Sequence, residues 1–450
     1  MTEVSRTALR AARFVLLTLA MVVAAATHAR AQDDAGPPPI VDSTGTSRES
    51  QVEKYTNLYQ GQFTPGSGFD IIRTDRGTLN ISVYGLFRYL NQLPAQQNFT
   101  DHLGRPRTAK ARNDVNWHRT MLWVTGWFFD PKFRYNITGW SLASTEQTLI
   151  FGNLRYLLSE QLTFGAGISP NLTNRSLQGS WPFWAGSDRQ MAEEFLRGGF
   201  ASGFWITGRV FKRLYYTTAI DRSISQLGNT VADDNRDMAY SASVWAQPTT
   251  GEFGPRGGFG DLEYHTKLAT QFGLSAATSR EGRYAPIDAA PKATQIKLSD
   301  GVNPFEAGAF VDGVTVSKLT YQVLSFDAGA KYKGFSFQGE FSNRRLSDFS
   351  GTGPVPLKEV NDRGFFVEAM QMVVPRKLGV YGVASYIMDD FKRYPYEVGG
   401  GASFYPYGNR QWRLNMHVMH VDRSPTGSNF GYYSAGMTGT IFSVGTDILL

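Results

Sequence analysis

Hydrophobic and polar positions alternate along much of the chain, and residues 325–345 show the pattern clearly. Phe326 and Phe341 belong to an apolar face, whereas Asp327 belongs to a polar one. Alternation with a period of two predicts a β-strand with one dry and one wet face. The only break falls at Lys333-Gly334, a dipeptide suited to a tight turn. The stretch is therefore predicted to form an antiparallel hairpin.

The same alternation recurs along the rest of the chain and predicts sixteen strands. Their expected positions are 78–90, 117–129, 133–143, 148–157, 161–170, 200–212, 214–223, 238–248, 269–279, 319–332, 335–345, 363–374, 378–388, 396–405, 411–421 and 432–450. No blade-like repeat accompanies these segments, which counts against a propeller. A large secreted β-sandwich remains the alternative to a barrel.

The connections between these segments alternate between short and long. Short turns are predicted at 130–132, 333–334, 375–377 and 406–409, and long loops at 91–116, 171–199, 224–237, 280–318, 346–362 and 422–431. A membrane barrel sorts its connections in this way, because its two ends face different compartments. The fold class is therefore predicted to be all-β, a transmembrane antiparallel β-barrel of 16 strands. Trp117, Tyr89, Tyr332, Tyr405 and Tyr432 are expected in the interfacial aromatic belts.

The N-terminus is predicted to carry an export signal. Three arginines precede an apolar run at 14–26, and Ala29-Arg30-Ala31 follows it. This arrangement predicts a signal peptide at 1–31, since the run is too short to cross a membrane comfortably as an anchor. Residues 32–68 are polar and are expected to form a periplasmic leader, and 69–450 the barrel. The predicted location is the bacterial cell outer membrane, with its lipid as partner.

Several stretches resemble the phosphate-selective porin O and P family of bacterial outer membranes. They are GFDIIRTDRGTLNISVYGLFRYLN early in the chain, FGAGISPN at 164–171, EEFLRGGFASGFWITGRV at 193–210, and KYKGFSFQGEFSNRR and GGGASFYPYGNRQWRLN later. The resemblance covers most of 68–450. It implies a homotrimeric channel whose third outer loop folds into the lumen and narrows it. It also implies that arginines line the pore and that phosphate or other anions pass.

Charged residues on the predicted lumen faces carry both signs. The lumen-lining candidates are Arg88, Arg134, Arg155, Arg209, Lys331, Arg344 and Arg413. The same faces carry Asp221, Asp327, Glu340, Glu368, Glu397 and Asp447. Focused attraction of anions needs an excess of one sign. The near balance predicts at most a modest anion preference, with the family's lysine cluster unmatched in this chain.

The third outward loop, 171–199, is predicted to fold inward. Its aromatic residues Trp181, Phe183 and Trp184 need burial, and the inner wall is the nearest surface. Inward folding makes six charged residues the pore-constriction candidates: Arg175, Arg189, Arg197, Asp188, Glu193 and Glu194. Because three of each sign leave the loop neutral, its arginines matter only if the carboxylates pair elsewhere or face away. A transverse field between opposed acidic and basic groups is equally compatible with the sequence. An outward loop that packs on neighbouring subunits is the alternative to inward folding.

The sequence offers little competing chemistry. It has no cysteine, and no catalytic motif such as G-x-S-x-G or H-E-x-x-H occurs. His417 and His420 lie three positions apart, so in a strand they face opposite sides and cannot share a metal ion. We therefore predict that the protein is not an enzyme and has no cofactor and no metal site. No run of basic residues indicates binding of nucleic acid.

The predicted function is a porin for passive diffusion of small hydrophilic solutes. An outer-membrane barrel hydrolase and a structural or adhesive barrel without an open pore are the alternatives.

Overall fold

A computed structural model provides the three-dimensional description of the chain. It describes residues 66–142, 147–169, 172–174, 184–199, 201–224, 237–253, 260–292, 294–427 and 431–450. The predicted signal peptide, nearly all of the predicted leader and Arg175 lie outside the described residues. Within the described ranges, no helix combines the length and the apolar character needed to cross a membrane.

Sixteen long strands pair in an antiparallel ring. In chain order they are β1 (Gly77–Leu93), β2 (Asn113–Phe128), β3 (Asp130–Leu142), β4 (Gln147–Ser159), β5 (Leu162–Ser169), β6 (Ala201–Phe211), β7 (Leu214–Asp221), β8 (Ala239–Ala246), β9 (Ala269–Gly282), β10 (Val316–Tyr332), β11 (Phe335–Gly351), β12 (Glu359–Val374), β13 (Leu378–Met388), β14 (Tyr396–Phe404), β15 (Trp412–Asp422) and β16 (Gly439–Leu449). Each strand pairs with its neighbours in sequence, and β16 pairs with β1 through contacts such as Val444 with Tyr89. The ring therefore closes, and the predicted 16-stranded antiparallel barrel is confirmed.

Four shorter elements of the described residues accompany the barrel. The short strand Phe69–Thr74 pairs with the beginning of β1, and the strands Gln96–Thr100 and Pro106–Lys110 form a separate hairpin within the first outer loop. The helix α1 (Met191–Leu196) lies in the loop between β5 and β6. That loop is the third on its side of the barrel, because the loops after β1 and β3 precede it.

The hairpin of β10 and β11 shows how the local sequence produces the pattern. Lys333 and Gly334 both adopt positive φ angles, 47° and 83°, which a two-residue hairpin turn of this type requires. The turn sets the register so that Phe326 pairs with Phe341 and Asp327 with Glu340. All side chains of one face therefore point to the same side of the wall. Burial alternates along β10 accordingly.

The outer and inner faces of the wall differ sharply in chemistry. Phe326, Phe341 and Phe204 are 50%, 40% and 71% exposed on the outside, whereas Ser325 and Asp327 on the other face of β10 are buried. Apolar exposure continues around the wall at Ile137, Ile150, Leu154, Ile220, Val244, Leu274, Leu324, Val380, Val398 and Val418. The predicted dry face thus points outward, and the polar face points to the interior.

Four details of the sequence prediction need correction. The last strand begins at Gly439 and not at 432, and Tyr432, which precedes it, packs on His417 of the inner wall. Tyr432 and Tyr405 are buried and do not belong to an exposed aromatic belt. Several strands extend further toward the long-loop end than predicted, because pairing continues beyond the clearly alternating residues. The connection 247–268 is also long, although it lies on the side of the short turns.

Candidate channel interior

The loop between β5 and β6 runs across the interior of the barrel. At one end, Ser325 of β10 donates a hydrogen bond to the Thr173 carbonyl (2.9 Å). At the other end, Ser403 of β14 donates to the Ala185 carbonyl (2.9 Å). The helix α1, which follows Ala185 in the chain, lies against the same wall, where the Met191 N–H donates to Glu397 (2.7 Å). The inward fold predicted for the third outer loop is therefore confirmed. Trp181 and Phe183 lie outside the described residues.

Asp188 connects this loop to the opposite wall. Its carboxylate accepts hydrogen bonds from Arg88 of β1 and from Arg119 of β2. All three side chains are almost completely buried. A buried carboxylate is stable only when its charge is compensated, and here two guanidinium groups share the task. Arg119 was not among the predicted site residues, since the sequence alone cannot indicate which wall residue meets Asp188.

The other loop charges pair mostly within the loop. Arg189 Nε lies 2.8 Å from Glu193 Oε1, and Arg197 donates two hydrogen bonds of 2.8 Å to Glu194. Residues three or four apart on one helical turn are close enough for such pairs. Arg189 and Arg197 therefore act as partners of the loop's own carboxylates. The loop has three carboxylates, those of Asp188, Glu193 and Glu194. Among the ion pairs of the described residues, only Asp188 pairs with arginines of the barrel wall.

Two predicted lumen arginines hold the loop backbone in place. Arg344 of β11 donates to the Phe195 carbonyl (2.9 Å) and pairs with Asp362 (2.6 Å). Arg413 of β15 donates to the Ala185 carbonyl (3.1 Å) and pairs with Asp447 (2.6 Å). Each guanidinium thus joins a loop carbonyl to a wall carboxylate. Helix and loop carbonyls that lack backbone partners are satisfied in this way.

The remaining predicted lumen residues lie at inward positions but away from the described loop. Arg209 pairs with Glu160 near the short turns, and Arg134 donates to the Pro131 carbonyl at the same end (3.1 Å). Arg155 is buried on β4. Lys331 lies 4.8 Å from the centre of the Phe253 ring. A lining role for these four residues stays a prediction.

An aromatic stack lies beside the loop and was missed at the sequence level. The His417 ring stacks on Tyr432 at 4.8 Å and on Tyr381 at 5.8 Å between centroids. The hydroxyl groups of Tyr432 and of Ser187 in the loop share a hydrogen bond (3.0 Å). The stack joins β13, β15 and the segment before β16. Tyr432 looked like part of a strand in the sequence, so only the fold reveals this contact.

The outer loops are joined by buried hydrogen bonds between His102 and Asp300. His102, in the hairpin 96–110, lies with Nδ1 2.7 Å from Asp300 in the loop between β9 and β10, and its backbone N–H donates to the same carboxylate (2.8 Å). Burial works to raise the pKa of Asp300, but the hydrogen bonds from His102 outweigh it and hold that pKa below its ordinary value. The pair therefore fastens two loops that are far apart in sequence.

A second group of titratable residues lies in the long connection 247–268. Asp261, Glu263 and His265 each offer one ligand atom, and these atoms lie within 4.8 Å of one another. Burial works to lower the pKa of His265, but hydrogen bonds to Asp261 and Glu252 raise that pKa to about 9. Burial raises the pKa of Glu263. The motif DLEYH carries this signal in the sequence, outside the residues predicted above.

Strand number, closed antiparallel pairing and the inward third loop together define a barrel of the general porin fold.

No protein-family model matches the chain, and no curated protein matches it. Among solved structures, it is similar to outer-membrane expressed OmpT of Vibrio cholerae, with 11% identity, 84% of this chain and 99% of that chain covered, and a TM-score of 0.49. An anion-selective porin from Comamonas acidovorans shares 11% identity over 82% of this chain and 99% of its own, with a TM-score of 0.46. The outer membrane channel DcaP of Acinetobacter baumannii shares 9% identity over 85% and 99% of the two chains, with a TM-score of 0.46. These identities and TM-scores are too low to assign a solute, and the fold assignment rests on the strand pairing itself.

Proposed function

We propose that the chain is a porin of the bacterial outer membrane that lets small hydrophilic solutes diffuse passively through its lumen. One observation carries the proposal. The wall exposes large apolar side chains outside, such as Phe204 and Ile150, and places charged side chains such as Arg344 inside. A barrel of sixteen strands is wide enough to leave an aqueous passage. Such a distribution is stable when lipid surrounds the wall and water enters the lumen.

The outer membrane is the location that fits this barrel. Every backbone N–H and C=O group must be paired inside a bilayer, and a closed strand ring meets that requirement without an open edge. The signal peptide predicted at 1–31 supplies the export route. We also propose a homotrimer, as the family resemblance of the sequence implies. Chemical cross-linking of the protein in its native membrane tests that state.

The charge pairing supports weak ion selectivity. Asp188 faces Arg88 and Arg119, and Asp447 faces Arg410 and Arg413, so two guanidinium groups surround one carboxylate at each point. Acidic residues such as Glu368 and Glu397 also lie buried on the inner wall, so residues of both types line the interior. A strong field of one sign is needed for strong selectivity. We therefore propose at most a modest preference for anions, with phosphate as one candidate solute.

Planar-bilayer recording of the purified chain tests the proposal. Discrete conductance steps are expected after insertion, together with a reversal potential in a KCl gradient that is near zero or slightly on the anion side. Swelling of loaded vesicles extends the test to uncharged solutes. A folded barrel without conductance steps, or one with clear cation selectivity, contradicts the proposal.

We further propose that the barrel has no hydrolase activity. The buried His417 ring is stacked between Tyr381 and Tyr432, and its Nδ1 faces the Tyr381 hydroxyl at 3.0 Å. A general base for hydrolysis must instead lie within hydrogen-bond reach of a nucleophile. Incubation of the purified barrel with peptide and lipid substrates is the check. Turnover that is lost in His417→Ala would favour the enzyme alternative.

A further inference from the structure

The connection 247–268 is firmly attached to the short-turn end of the barrel. The Lys333 N–H donates to the His265 carbonyl, and the Gly334 N–H donates to Asp261 Oδ2, both at 2.7 Å. Asp261 also accepts hydrogen bonds of 3.1 Å from the His265 backbone N–H. These contacts fix the backbone from 261 to 265 against the β10–β11 turn. Side chains on this segment are therefore held in defined positions.

The side chains of Asp261, Glu263 and His265 bring oxygen and nitrogen donor atoms close together. One ligand atom each from Asp261, Glu263 and His265 lies within 4.8 Å of the other two. The side chains of Asp261 and His265 are 0% and 7% exposed. Glu263 Oε2 is buried and has no hydrogen-bond partner in the described part of the chain. A buried carboxylate oxygen without a partner is costly, so a ligand at this point would stabilise the fold.

Glu252 orients the imidazole from the other side. Its Oε1 lies 3.0 Å from His265 Nε2, whereas His265 Nδ1 faces Asp261. Histidines that bind metal ions commonly donate their second ring N–H to a carboxylate, which sets the tautomer and the ring orientation. With Nε2 bonded to Glu252, Nδ1 is the nitrogen that faces the two other donors.

The local charge also favours a divalent cation. The carboxylates of Asp261, Glu263 and Glu252 surround the imidazole of His265, and Lys331 is the basic side chain that acts on Glu263. Carboxylates therefore outnumber the basic side chains around the site. A buried cluster is more stable when its charges compensate.

We propose that Asp261, Glu263 and His265 form a binding site for a divalent transition-metal ion of the Zn²⁺ class. Imidazole together with carboxylates is a donor set that Zn²⁺ accepts, whereas Ca²⁺ and Mg²⁺ prefer oxygen ligands alone. The ion would link three residues of one connection and so secure it at the short-turn end of the barrel. This inference does not depend on conduction through the lumen.

Zinc titration of the full chain tests the site. The barrel is purified in detergent, stripped with a chelator and titrated with ZnCl₂ in a calorimeter. One equivalent is expected to bind, and His265→Ala and Glu263→Gln should each weaken binding at least tenfold. Glu252→Gln should weaken it by about 10–100-fold, as expected for a carboxylate that orients a ligand. His420→Ala is the matched control, since His420 is exposed elsewhere on the barrel.

Glu263→Gln keeps the test valid if His265→Ala fails to fold. Glu263 Oε2 accepts no hydrogen bond within the described residues, so its replacement by an amide should leave the barrel intact. Circular dichroism of the strands checks that each variant is folded. Absence of zinc binding by the wild type, or full binding by folded Glu263→Gln, overturns the proposal. Competition by Ca²⁺ at equal concentration overturns the choice of metal class.

Discussion

Asp188 and Arg88 form an ion pair in the interior of the barrel, although 100 residues separate them in the chain. Arg119 reaches the same carboxylate from β2. The inward loop is thereby attached to the first strands as well as to β10–β15. This contact makes Asp188 the carboxylate through which the loop reaches arginines of the first two strands.

The first prediction concerns Asp188→Asn. The substitution removes the negative charge that Arg88 and Arg119 share, so the reversal potential in a KCl gradient should shift toward anion selectivity. Loss of a buried partner should also destabilise the barrel, by about 3–5 kcal/mol for a fully buried pair. Asp288→Asn in an exposed outer position is the control. An unchanged reversal potential in a folded variant would remove Asp188 from the constriction candidates.

The second prediction concerns the inward loop as a whole. Deletion of residues 176–192 removes Asp188 and the first residues of α1, so the single-channel conductance should increase. The ring of sixteen strands does not include this segment and should still close. Bilayer recording gives the result, and heat-dependent gel mobility checks the fold. If conductance stays at the wild-type value, the loop does not constrict the pore, and its arginines have no role there.

The third prediction concerns acid opening of the outer loops. The pKa of Asp300 lies below its ordinary value, so the pair with His102 stabilises the loops above pH ~4, the usual range of a free carboxyl. That stability is lost as the pH falls through the lowered pKa. Hydrogen exchange of residues 96–110, corrected for intrinsic rates, should rise in this window for the wild type. Asp300→Asn should exchange fast at every pH.

A matched control separates this effect from general acid unfolding. Asp288 belongs to the same outer loop, but its side chain is exposed. Asp288→Asn should therefore retain the wild-type pH profile. An identical profile for Asp300→Asn would show that the His102 contact does not hold the loops.

The fourth prediction concerns the outer wall. Phe326→Arg places a charge on the apolar outer face of β10, where Phe326 is 50% exposed. In lipid such a substitution costs about 2–4 kcal/mol near the bilayer centre. Unfolding by guanidinium in lipid vesicles measures the loss. Tyr407→Arg, at a 69% exposed turn position, should be neutral. Equal stability of the two variants would mean that β10 does not face lipid.

The strand number and the two faces of the wall could be predicted from the sequence. Alternation places Phe326 and Asp327 on opposite sides whatever lies around them, because successive residues of a strand point in opposite directions. The aromatic content of 171–199 and its place as the third outward loop also sufficed to predict that it folds inward. The ends of the strands could be predicted less closely. In residues 432–438 the alternation continues although these residues do not pair as a strand.

Only the tertiary structure decided which charges meet. Arg119 pairs with Asp188 of the inward loop, a contact that depends on the path of that loop. The pairs Arg344–Asp362 and Arg413–Asp447 join neighbouring strands and depend on the register of the ring. The group around His265 depends in the same way on a long connection that turns back to Gly334. A sequence determines local direction through the short-range geometry of its backbone. Contacts between distant side chains follow from closure of the barrel, which no local pattern encodes.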